Sequence, residues 1–135
     1  AELERLNAAL LHRLAFESVR DRLPDGFDEA AWHAIRPNLS RLSDAADWWR
    51  VITGPIAKIT FSAEDRTYLA EAAAALEWGP DPWHALTSAL KERTGRKGKA
   101  LFLPLRQALT GADHGPDMVE LLPLIGEAEA RHRLI

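Results

Sequence analysis

The amino-acid sequence predicts an all-α protein, and three observations predict it. Apolar residues recur at steps of three and four along most of the chain, as they do on one face of a helix. Cap-forming Ser and Asp residues and Gly-Pro breaks recur at spacings that delimit short helices. The one weakly alternating stretch, Ile56–Phe61, would be a lone strand without a partner, and it reads as a linker.

The elements follow in order. Leu3, Leu6, Leu10 and Leu14 line one helix face, which Phe16, Val19 and Leu23 continue after a bend near Ala15. Pro24-Asp25-Gly26 breaks the chain. Asp28 is a cap for a short helix through Trp32 and Ile35, interrupted by Pro37. Ser43-Asp44 starts the next, which buries Trp48 or Trp49 with Val51 and Ile52 and ends at Gly54-Pro55. Ser62-Ala63-Glu64-Asp65 resembles a capping box, with acids where the helix dipole favours them; the alanine-rich helix behind it stops at Trp78-Gly79-Pro80. Asp81-Pro82 places a cap and then a first-turn proline before a helix through Trp83, Leu86 and Leu90 to Gly95. Another runs from Gly98 to Thr110 with Pro104 near its first turns. Gly115-Pro116 opens the next, and Gly126 separates it from a terminal segment, Glu127–Leu134. Gly54-Pro55 is the best internal boundary, dividing residues 1–54 from 55–135.

Composition narrows the chemistry. A chain of 135 residues fits one domain, or two small helical subdomains sharing a core. At this length roughly two-thirds of the unfolded surface is buried, so folding requires no metal or disulfide. The absence of cysteine excludes disulfides, thiolate zinc sites, iron–sulfur clusters and thiol nucleophiles. No apolar run approaches the roughly 20 residues needed to span a bilayer. The start carries neither a signal peptide nor Met, as expected of a fragment of a cytoplasmic protein. The net charge is −3, yet Lys91, Arg93, Arg96, Lys97, Lys99 and Arg106 face only Glu92 within one window. That window carries +5 and the remaining residues −8. A basic segment on an acidic body reads either as a localised anion site or as a solvated helix end.

Catalytic constellations are missing. His12, His33, His84, His114 and His132 are scattered, with no His-Glu-x-x-His zinc pattern, and no metal ligands are expected. There is no Gly-x-Ser-x-Gly nucleophile elbow. Gly98-Lys99 has Arg93 where a phosphate loop needs glycine and Ala100 where it needs Ser or Thr. The carboxylates, among them Glu64, Asp65, Asp113, Asp117 and Glu120, read as helix faces and caps.

One stretch is more specific. Thr94–Gly111, with the kernel Pro-Leu-Arg-x-Ala-Leu-Thr-Gly at Pro104–Gly111, resembles the C-terminal region of bacterial glutamyl-tRNA synthetases, which are class I aminoacyl-tRNA synthetases. His114-Gly115-Pro116 and Leu121–Gly126 continue the likeness. Upstream, Leu6-Asn7, Leu10-Leu11-His12 and Phe16-Glu17 resemble the entry to that region. Arg36–Leu42 and Asp47-Trp48-Trp49-Arg50 resemble its alphaproteobacterial form. The likeness runs in order through essentially the whole chain.

The resemblance implies two small helical subdomains, 1–54 proximal and 55–135 distal, forming an anticodon-binding helix bundle. The family's enzyme attaches glutamate to tRNA with ATP and Mg in an N-terminal catalytic domain with His-Ile-Gly-His-like and Lys-Met-Ser-Lys-Ser-like motifs. Neither motif occurs here, so no catalytic residue and no cofactor are expected of these residues, and a monomer without membrane contact is. By the same resemblance Arg106 falls where the family contacts the anticodon, and an intramolecular salt bridge is the competing reading. Met118 falls near an apolar base contact, with core packing as the alternative. Arg96, Lys97 and Lys99 become candidate phosphate ligands. Trp49, turned about 100° from Trp48, is the tryptophan expected to be partly exposed for base stacking, whereas Trp32, Trp48, Trp78 and Trp83 read as core. Discriminating members place arginine at the position of Asn38 to tell a glutamate anticodon from a glutamine one. Asn38, with Arg36 and Arg41 as substitutes nearby, implies relaxed discrimination, so a glutamine-accepting tRNA joins the glutamate-accepting one as an expected partner; capping of the next turn is the alternative for Asn38. The competing function is a helical protein-interaction adaptor with a basic patch.

Overall fold

The computed structural model describes residues 15–56 and 58–135, which hold eight α-helices, two 3₁₀ turns and no strand. The leucine stripe of Leu3–Leu14 lies outside the described residues. Helix α1 (Phe16–Val19) passes into a 3₁₀ turn, Arg20–Arg22. The next helix, α2 (Glu29–Ile35), is capped by Asp28, whose Oδ1 accepts from the Ala31 N–H at 2.8 Å. It tightens into a second 3₁₀ turn, Arg36–Asn38, at the proline that was expected to interrupt it.

Helix α3 (Asp44–Thr53) starts at Ser43-Asp44 as expected. The Ser43 side chain makes no cap bond; instead Asp44 accepts from the Arg41 N–H at 3.1 Å. The linker residues 58–61 carry no regular structure. Ser62 caps α4 (Ala63–Ala75) by accepting from the Asp65 N–H, and α4 ends three residues before Trp78. Asp81 caps α5 (Pro82–Thr94). Helices α6 (Lys99–Thr110), α7 (Met118–Ile125) and α8 (Glu127–Leu134) complete the chain. The α7 cap is Asp117, which accepts from the Val119 N–H, so Gly115-Pro116 precede the helix and do not open it.

Helix α7 is the axis of the packing. Its Leu121 and Leu122 are fully buried, and it contacts α2, α3, α5 and α8. Helix α4 packs on α5, α6 and α8. The buried residues before and after Gly54 belong to one continuous core, from Val19, Trp32 and Ile52 through Leu86, Leu105 and Leu134. Trp32 and Trp83 are core residues as expected, while Trp48 and Trp78 are only partly buried.

A buried arginine closes this core. The Arg133 side chain is 3% exposed and pairs with Glu129 at 3.0 Å, one turn earlier on α8. Its Nη1 donates to the carbonyls of Val51 (2.8 Å) and Leu109 (2.7 Å), and Nη2 to that of Ile52 at 3.3 Å. These carbonyls belong to the last turns of α3 and α6, which have no partners within their own helices. The cation therefore satisfies them and meets the negative ends of two helix dipoles. Gly54 makes room for it: a Cβ there would lie 3.0 Å from Nη2, on a backbone with φ +72°.

Replacing Arg133 with alanine strands those carbonyls and the Glu129 carboxylate. Glu129 is 43% exposed and can be solvated, so the unsatisfied carbonyls dominate, and we expect a loss of about 1–3 kcal/mol, measured by urea denaturation. Arg20→Ala, which removes a pair exposed on both sides, should change stability by less than about 0.5 kcal/mol.

Candidate nucleic-acid interface

The basic segment divides into a structural part and an exposed part. Arg96 is structural. Its guanidinium lies 4.1 Å from the Tyr68 ring centroid, and Nη1 donates to Asp65 Oδ1 at 2.9 Å and to the Ala100 carbonyl at 3.0 Å. The Ala100 carbonyl is the one that residue 104 would bond in a regular helix, and residue 104 is proline, which has no N–H. Arg96 thus supplies the donor that Pro104 removed. Arg96, expected as a phosphate ligand, has its Nη1 engaged within the fold, with the side chain 21% exposed.

Tyr68, beneath Arg96, is buried and donates its hydroxyl to the Leu101 carbonyl at 2.7 Å. Burial pushes its pKa up to about 12; Arg96 opposes that shift and Asp65 adds to it.

Lys91, Arg93, Lys97 and Lys99 are exposed. Lys99, Phe102 and Arg106 stand at i, i+3 and i+7 on one face of α6, so this face carries a cation, an aromatic ring and a second cation in line. Arg106 is half-buried. Desolvation pulls its pKa below the usual arginine value, while the nearby Asp117 raises it. Among the described residues its one side-chain hydrogen bond runs from Nη1 to the Pro116 carbonyl, at 3.0 Å. The fork is thus held at one nitrogen, and the expected alternative, a salt bridge, is present only as the longer-range influence of Asp117.

Beside Arg106 the two halves of the chain meet. The Trp48 indole of α3 lies on Gly115: a Cβ there would come within 2.6 Å of Trp48 Cη2, on a backbone with φ +148°. It would also approach Arg106 Nη1 to 3.4 Å, so only glycine lets the ring, the loop and the guanidinium meet. The His114 ring meets Trp48 edge-on at 6.2 Å.

The remaining predicted residues are placed as follows. Asn38 is exposed and Arg36 half-buried, both in the 3₁₀ turn after α2. Trp49 is partly exposed, with its ring tilted against Phe27 at 5.1 Å. Met118 is 2% exposed within the core. That burial agrees with core packing, the alternative stated for Met118 beside a base contact. Phe102, Trp48 and Gly115 were missed. Phe102 had a legible signal, its i+3 and i−4 relation to Lys99 and Arg106; the Trp48–Gly115 contact had none.

Among the described residues, no group of three or more His, Asp or Glu side chains could hold a metal ion. No described helix is long and apolar enough to cross a membrane.

A helical bundle presenting one basic, aromatic-bearing helix face is built like a module that holds a nucleic-acid loop. The chain belongs to the anticodon binding domain family, whose model matches residues 8–135. It is 66% identical over 134 residues to glutamate–tRNA ligase 2 of Erythrobacter litoralis, covering 99% of this chain and 30% of that protein. It is 59% identical over 137 residues to glutamate–tRNA ligase 1 of Novosphingobium aromaticivorans (99% of this chain, 31% of that one). A third relative, glutamate–tRNA ligase 1 of Zymomonas mobilis, is 54% identical over 137 residues, with the same coverage. The chain spans about 30% of the length of these relatives. These 135 residues correspond to the anticodon-binding portion of such ligases and not to the catalytic one.

The buried Tyr68 gives a spectroscopic check on the packing around Arg96. It is the sole tyrosine of the chain, so tyrosinate absorbance reports on it alone. We expect a titration midpoint near 12 in the folded protein and about 10 in urea. The folded-state value is raised, so the contribution of the neutral phenol to stability is intact below pH 10 and lost as pH climbs towards 12.

Proposed function

We propose that this chain grips the anticodon stem-loop of a glutamate-accepting tRNA, as the C-terminal part of a ligase that attaches glutamate to tRNA with ATP. The observation that carries the reading is Arg106, inside the family match, with its fork tethered at one nitrogen to Pro116 beside the Trp48–Gly115 contact. An unpaired loop offers base edges and phosphates together, and a planar guanidinium suits both. Lys97 and Lys99 neutralise phosphates without reading sequence. A monomeric, cytoplasmic protein joined to its catalytic domain goes with this reading.

Binding of the 135-residue chain to glutamate and glutamine tRNAs across a salt series tests it. Affinity should fall steeply with salt, because the counterions released from the phosphates gain less free energy when the bulk salt is high. No tRNA binding at low salt, together with capture of a protein partner, would replace this reading with the adaptor. Arg106→Lys keeps the charge and loses the fork. Its loss should therefore depend on anticodon sequence and reach about 1–3 kcal/mol for the preferred anticodon. A uniform loss, or lowered thermal stability alone, would make Arg106 a structural residue.

Asn38 tunes discrimination at the third anticodon base. Its amide both donates and accepts, so it lacks the fixed cationic fork that favours cytosine's acceptor edge over guanine. Asn38→Arg should widen the preference for C over G, measured with two tRNAs differing only at that base. A starting preference already near tenfold, unchanged by the arginine, would remove Asn38 from the specificity set.

A further inference from the structure

The exposed ring of Phe102 has a role that neither the basic segment nor Arg106 accounts for. Phe102 is 45% exposed and is the one large apolar side chain besides the terminal Ile135 exposed among the described residues. An isolated exposed apolar residue means little. This one has built surroundings. Its ring rests on Trp83, at 6.2 Å between centroids and 34° between planes, and Trp83 is itself a core residue. A buried indole therefore fixes the phenyl ring in place while part of it faces solvent, so little side-chain freedom remains to be lost on binding.

Beside the ring opens a shallow cavity of about 220 Å³, lined by Thr87, Ser88, Lys91, Lys97, Leu101 and Phe102. That is several times the roughly 30 Å³ that a water molecule occupies in the liquid. Lys91 comes from the last turn of α5 and Lys97 from the loop before α6, so cations from two elements border one aromatic surface. The loop is held by the Arg96–Asp65 and Arg96–Ala100 contacts, which fix where Lys97 begins.

A flat apolar ring bordered by cations fits a ligand that is flat, apolar on its face and anionic at its edge. A nucleotide has that form: base–aromatic stacking tolerates any base, because every base has a π-face. An acidic peptide would satisfy the lysines but leave the ring in water. We propose that Phe102 is a stacking platform for one unpaired nucleobase of the bound RNA, with Lys91 and Lys97 holding the phosphates beside it. This rests on the tRNA-binding reading and adds to it a second contact point, one helical turn from Arg106 on the same face of α6.

The test measures binding of the full 135-residue chain to a glutamate-accepting tRNA, with Phe102 changed to Ala, Leu and Tyr. Stacking is expected to make Phe102→Ala bind roughly 5- to 150-fold more weakly with an unchanged salt slope. Phe102→Leu should be nearly as weak, since it covers Trp83 without a π-face, and Phe102→Tyr should stay within about twofold. Lys91→Ala with Lys97→Ala should lower the log–log salt slope by about 0.7 per lost phosphate contact, the single-strand value. Full binding by Phe102→Ala, or by Phe102→Leu, would overturn the platform while leaving the tRNA-binding reading intact. An unaltered chain that binds no tRNA at low salt would overturn both. The Leu and Tyr variants keep the comparison decisive should the alanine variant lose its fold, because both still pack on Trp83.

Discussion

The Arg133 guanidinium is the contact on which the arrangement of the helices depends. One side chain from the last helix satisfies carbonyls at the ends of α3 and α6, elements more than 40 residues apart in sequence. A buried charge is expensive unless its hydrogen bonds are met, and here a carboxylate and three carbonyls meet them. Because its five donors are fixed in a plane, the guanidinium tolerates only one relative placement of the two helix ends. Gly54, read in sequence as a break, also makes room for this cation.

A related economy governs the basic segment. Pro104 fits the early part of α6 only if something else bonds the Ala100 carbonyl, and Arg96 does so while stacking on Tyr68 and pairing with Asp65. The family-like run Arg96-Lys97-Gly98-Lys99 is therefore not a uniform row of phosphate ligands. Its arginine stiffens the turn that displays its lysines. Charge counted along a sequence does not show which cations already have partners within the fold, and here Arg96 is paired with Asp65.

The proposed binding face draws on both halves of the chain. Trp48 of α3 lies on Gly115, and Gly115 abuts Arg106 of α6, so the rotation of α3 about its axis and the path of the α6–α7 loop together set where the Arg106 fork points. Arg106 is half desolvated at this junction, which strengthens whatever hydrogen bonds its remaining donors make. Recognition of a loop by such a face depends on packing some distance from the contact, through Gly115 and through the Arg133 clamp that holds α3 and α6 together.

Much of this was legible in the sequence. Helix periodicity, the caps at Asp28, Ser62 and Asp81, and the breaks at Gly54, Gly95 and Gly126 follow from local chemistry, in which a residue interacts with neighbours three or four positions away. Arg106, Lys97 and Lys99 were identifiable as candidates because they sit within a recognisable run. The roles of Arg96, Arg133 and Trp48 were not. Arg96 and Lys97 are adjacent and alike in charge, yet one is partly buried and paired and the other exposed, and the difference rests on Asp65, Tyr68 and Ala100 being brought beside Arg96. Arg133 reads as one more basic residue on a terminal helix until α3 and α6 end against it. Local spacing sets which elements form; which polar groups are consumed inside them is decided by contacts between residues distant in the chain, and those exist only once the helices have packed.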